Sequence, residues 1–116
     1  MNKELIDKIV RANPMKLKDQ IDYQKGGISS LSLTYSKAVD ITLLAIDKGE
    51  KLSTHSADGD ALATILEGSA KITVDGVEHI VSAGESILMP VKIPHSLEAI
   101  EPFKFLLVVV YPAINN

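Results

Sequence analysis

Metal or acid–base chemistry in this chain must start from imidazole and carboxylate, because its 116 residues include three histidines and no cysteine. Imidazole nitrogen suits zinc, iron, nickel and copper. A firmly held ion usually takes at least three protein donors and leaves one position for water or substrate. His55 and His95 are the candidate metal ligands, and few further donors stand near either. Asp58 precedes Gly59 in a turn, where aspartate commonly bonds the local backbone. Asp60 is out of step with Ala61 and should face the other side of its strand. His79 follows the Asp75-Gly76 turn with no donor beside it and reads as a structural or surface residue. Two imidazoles alone predict, at most, a weak site for a divalent transition metal, completed by water. The favoured reading is a pair of histidines bonded to each other, to water or to an anion.

Other chemistries find less support. Ser53, Thr54 and Ser56 flank His55, but immediate neighbours on a strand face opposite sides, so Thr54 and Ser56 should point away. No glycine-flanked nucleophile elbow is present. Glu85 and Glu98 do not form a glycosidase-type pair, and Glu98 has outward parity relative to His95. Lys92 stands just before His95 and is a candidate contact for a substrate carboxylate, although a loop lysine is more often simply solvated, which is the preferred reading. The net charge is −3 and no Lys/Arg cluster appears, which argues against nucleic acid as a partner. The residues after Met1 carry a charge every few positions, unlike a signal peptide's apolar core, and the apolar run Phe105 to Tyr111 is too short to cross a bilayer. A cytoplasmic protein without a membrane partner is the expectation, and the absence of cysteine fits a reducing compartment.

The elements that must hold these residues are mostly strands. Leu5, Ile6, Ile9 and Val10 fall at helical spacing and predict a short amphipathic helix over Glu4 to Ala12, stopped by Asn13-Pro14. From Ile28 onward the pattern is short apolar or alternating runs separated by turn signals. These include Lys48-Gly49-Glu50, Glu67-Gly68, Asp75-Gly76 and Ala83-Gly84. Many short strands at regular spacing predict an all-β sandwich or barrel. The expected organisation is one domain, with residues 1–27 as helix and lead-in and 28–116 as barrel. Strand parity groups Ser53, His55 and Ala57 on one face, Ala61, Ala63 and Ile65 on another, and His95, Leu97 and Ala99 on a third. If these faces line the interior, two histidines stand among small and apolar residues, the composition of a pocket.

The order of strands and turns from Gly49 to Ala99 resembles the cupin superfamily. Gly49 stands at the opening glycine of the first cupin motif, His55 at its first histidine and Gly68 at its closing glycine. Gly84, Pro90 and His95 match the second motif. Ala57 takes the place of the second histidine, Ala61 that of the glutamate, Lys92 that of the second motif's later glycine, and Ala99 that of its final asparagine. The phrases Ile65-Leu66-Glu67-Gly68 and Ile93-Pro94-His95 also suit the family, and the chain looks like its small single-domain bacterial members. The resemblance implies a double-stranded β-helix, or jelly-roll, barrel that keeps half of the usual ligand set.

Three readings of function follow. In the first, a small molecule binds in the barrel at a reduced two-histidine site. In the second, a metal-dependent enzyme of dioxygenase or isomerase type uses His55 and His95. In the third, the chain is a structural oligomer with a filled core. A homodimer is expected from the small size, the 46% hydrophobic content, the amphipathic N-terminal segment and the apolar strand Phe105 to Tyr111 as an edge.

Overall fold

The computed structural model describes residues 4–113. Among the described residues nine strands follow one another: β1 Ile28–Tyr35, β2 Val39–Ile46, β3 Lys51–His55, β4 Asp60–Glu67, β5 Ser69–Val74, β6 Val77–Ser82, β7 Ser86–Met89, β8 His95–Ala99 and β9 Phe103–Val110. They form two antiparallel sheets, one ordered β1-β2-β9-β4-β7 and the other β3-β8-β5-β6. The expected all-β barrel is the observed architecture.

Local chemistry explains the turns. Asp75 and Gly76 both adopt positive φ, 50° and 81°, the backbone of a tight primed hairpin between β5 and β6. Gly68, at φ 79°, joins β4 to β5, and a Cβ there would meet the Pro102 carbonyl oxygen at 2.1 Å. Only glycine satisfies both conditions.

The inner faces close on one core. Ala61, Ala63 and Ile65 of β4 alternate with more exposed neighbours and are buried, as are Leu97 and Ala99 of β8. Phe103 and Phe105 of β9 are buried in this core and stack with ring centroids 5.3 Å apart. A second cluster lies on the outer face of the five-stranded sheet, where Leu33 of β1 and Leu43 and Ala45 of β2 are covered by Ile9, Leu17, Ile21 and Tyr23 of the lead-in. The β2 run Leu43–Ile46 is therefore buried on both faces, which matches its continuous apolar sequence.

Two expectations need correction. The helix over Glu4 to Ala12 is not formed. The segment runs through irregular bends, with Lys8 and Ala12 at positive φ, 68° and 58°. A short isolated helix gains little from its own backbone bonds. Ile9 alone reaches the second cluster, while Leu5 is 82% exposed. The one helical turn among the described residues is a 3-10 turn, Leu17–Gln20. The lead-in is held by single bonds instead: Asp7 N–H to the Leu33 carbonyl, Lys104 Nζ to the Lys18 carbonyl and Tyr23 Oη to Glu67, each at 2.7 Å. The strand over Phe105 to Tyr111 was expected as an edge. The observed β9 lies between β2 and β4 and is paired on both sides, so it offers no free edge. Residues 114–116, the end of the expected barrel unit, lie outside the described residues.

Candidate functional site

His55 and His95 face each other across the β3–β8 ladder. The pairing is irregular between them and the next pair. Leu52 opposes Leu97 and His55 opposes His95, so two residues on β3 span the place of the single Ser96 on β8. This bulge lets both Leu52 and His55 use the inner side of β3, which an unbroken strand forbids. The rings meet edge to face, with centroids 4.4 Å apart and planes at 70°.

Each ring is fixed by its own strand end. His55 Nδ1 lies 2.7 Å from the Ser53 carbonyl oxygen, and His95 Nδ1 lies 3.2 Å from that of Ile93. A carbonyl only accepts, so in each neutral ring these contacts place the proton on Nδ1 and leave the lone pair on Nε2. His95 is 3% exposed, whereas His55 opens to solvent at the barrel mouth. Burial pushes the His95 imidazole below its ordinary value, and the neighbouring His55 adds to the effect.

The structure distributes the other expected site residues differently. Ala57 is half-buried at the edge of the core, and its carbonyl accepts the Lys92 N–H at 2.8 Å. Ala61, Ala63, Ile65, Leu97 and Ala99 lie inside the close-packed core. Ser53 leaves the interior: it is exposed and shares a shallow outer hollow with Lys71, Thr73 and Glu98, because the bulge falls between it and His55. Lys92, at φ 62°, lines a broad open hollow with Tyr35, Asp40, Asp58 and Tyr111, and that hollow includes neither histidine. Asp60 faces outward and accepts the Val91 N–H at 2.8 Å. His79 is exposed on β6, opposite Ile72.

The open hollow contains a contact that the sequence did not signal. Tyr111 Oη donates to Asp40, and this bond, with burial, pushes the phenol up to about 12. Its residues come from separate parts of the chain, so no local motif marks them.

Among the described residues, no group of three or more His, Cys, Asp or Glu side chains is placed to hold a metal ion. The cupin ligand positions beyond His55 and His95 are filled by the methyl groups of Ala57 and Ala61, which donate nothing. The chain supplies two nitrogen donors where a firmly held ion needs about three, so the residues present do not complete a metal shell. They present two adjacent lone pairs at the rim of an apolar barrel. No helix among the described residues is long and apolar enough to cross a membrane.

Known proteins share this architecture. A conserved protein of unknown function from Streptococcus pyogenes is 38% identical, with a TM-score of 0.93 over 97% of this chain and 98% of that one. A cupin superfamily protein from Desulfitobacterium hafniense is 25% identical, with a TM-score of 0.88 over 92% and 98%. A cupin 2 conserved barrel domain protein from Leptotrichia buccalis is 42% identical, with a TM-score of 0.81 over 83% of this chain but 47% of that one. No curated protein matches the sequence. The family model described as the cupin domain matches residues 42–111, from within β2 to the residue after β9. That span takes in the bulged strand, both histidines and every motif glycine, and the chain belongs to the cupin family.

Proposed function

We propose that this cupin binds a small molecule at the mouth of its barrel, through His55 and His95. One observation carries the proposal: both Nδ1 atoms are committed to backbone carbonyls, which leaves two Nε2 acceptors side by side, one buried and one open to solvent. Such a pair accepts hydrogen bonds from a ligand's hydroxyl or amine groups. The buried Ala61, Ala63, Ile65, Leu97 and Ala99 fill the barrel below, so the ligand sits at the rim and not in its depth. Calorimetric titration of a library of hydroxylated and amine metabolites tests this. A ligand that binds the wild type should lose at least tenfold in affinity with His55→Ala or His95→Ala. Unchanged affinity in both variants would overturn the proposal.

The same Nδ1 bonds also favour a second reading, since metal-bound histidines commonly donate their other nitrogen to a carbonyl. Here the two Nε2 atoms hold a divalent transition metal that water completes. Zinc titration of the purified protein separates the two: saturable binding that His55→Ala abolishes favours the metal, and its absence together with ligand binding favours the first.

A further inference from the structure

The hollow lined by Tyr35, Lys37, Asp40, Asp58, Lys92 and Tyr111 takes no part in the two-histidine site, yet its walls are fixed from several sides. Its volume is about 1010 Å³, room for a small metabolite. Ser36 Oγ accepts the Ala38 and Val39 N–H groups, each at 3.1 Å, and shapes the β1–β2 turn that carries Tyr35 and Lys37. The Tyr111 N–H donates to the Ala38 carbonyl at 3.0 Å, and its phenol donates to Asp40. The β3–β4 loop presses against the same ring: a Cβ on Gly59 would stand 3.0 Å from it and 2.3 Å from the Val110 carbonyl oxygen. Lys92 holds its positive φ with its N–H bonded to the Ala57 carbonyl, two residues from His55, so the hollow opens at the same end of the barrel as the histidines.

The charges around the hollow are less settled than its walls. Asp40 Oδ2 accepts from Tyr111, but Oδ1 is buried and no donor among the described residues reaches it. A carboxylate with half of its acceptor capacity unmet leaves negative charge uncompensated in the wall. Asp58, Lys37 and Lys92 are exposed, and none of them forms an ion pair among the described residues. Tyr35, 82% exposed, and Tyr111 bring two aromatic rings to the same place. We propose that this hollow binds a free amino acid with an apolar side chain. The ammonium group is drawn to Asp58 and Asp40, the carboxylate to Lys37 and Lys92, and the side chain lies against the two tyrosine rings. The balance of charge selects a zwitterion over a single ion. Two carboxylates and two lysines line the hollow, so a simple cation meets both lysines and a simple anion meets both aspartates.

Titration of isotope-labelled protein with L-phenylalanine and with L-leucine, followed by NMR, tests the inference. Saturable shifts should centre on the amides of Tyr35, Lys37, Asp58 and Lys92. N-acetyl-L-phenylalanine lacks the positive charge and L-phenylalaninamide the negative one, and each should bind at least tenfold more weakly than phenylalanine. Asp58→Asn and Lys92→Gln change exposed side chains, so both variants should fold, and each should weaken phenylalanine binding by a similar factor. His55→Ala should leave that affinity unaltered, which separates this site from the two-histidine reading. The absence of saturable shifts with either amino acid would overturn the inference. So would shifts centred on His55 and His95, equal binding of phenylalanine and its two derivatives, or binding that survives both Asp58→Asn and Lys92→Gln.

Discussion

The two sheets share one core but meet solvent in opposite ways. The outer face of the four-stranded sheet is charged: Lys71 on β5 bridges Glu78 on β6 at 3.1 Å and Glu98 on β8 at 3.5 Å, beside hydroxyls from Thr73 and Ser96. The outer face of the five-stranded sheet is apolar and holds a second buried cluster. The difference appears in the strands themselves. β8 alternates between buried and half-buried positions, while β2 is buried continuously from Leu43 to Ile46. A sheet with one solvated face needs only a period of two, whereas one covered on both faces needs an unbroken apolar run. The five-stranded sheet therefore acts as the scaffold. The four-stranded sheet, free to carry polar groups, holds the paired His55 and His95.

The comparison predicts where the chain is most easily broken. Phe105→Ala, which removes a ring stacked on Phe103 in the main core, should lower unfolding free energy by about 3–5 kcal/mol in urea titration. A loss below about 1 kcal/mol would show that the five-stranded sheet is not the scaffold. Tyr23→Phe removes the phenol that donates to Glu67 under the lead-in, and should cost about 1 kcal/mol, the usual net worth of such a bond. Acid should act on the other sheet first. The lowered value of His95 means that the unfolded chain takes up its proton before the folded one. Stability then falls as pH drops below the ordinary imidazole range, and above that range His95 has no effect. Hydrogen exchange followed down from pH 7 should show Leu97 on β8 losing protection before Leu107 on β9; the reverse order would contradict the assignment. The smallest effect belongs to Lys71→Gln. Its ion pairs are solvated, and thermal unfolding should move no further than experimental error.

Much of this was legible in the residues. The turn glycines fixed the strand boundaries, since Gly68 and Gly76 need positive φ whatever surrounds them. Alternation along β4 and β8 identified Ala61, Ala63, Ile65, Leu97 and Ala99 as inward-facing, because both strands are regular there. Parity failed at β3, where the bulge puts Leu52 inside and Ser53 outside, and no residue type announces an extra residue in a strand. The helix failed for another reason: the spacing of Leu5, Ile6, Ile9 and Val10 is genuine, but spacing stabilises a helix only where a partner surface receives it. The place of β9 between β2 and β4 is a fact of topology, which an apolar run of its length cannot specify.

The bulge in β3 also bears on how this family can vary in length. The inner side of β3 is occupied by Leu52 and His55, and one residue between them is surplus to the ladder. A chain lacking Thr54 would pair Ser53 one for one with Ser96 and still hold its histidine opposite His95. The imidazole pair is therefore insulated from a one-residue deletion at this point in the gene. A single deletion elsewhere in a regular strand, such as between Ala61 and Ile65, would turn every following side chain to the opposite face.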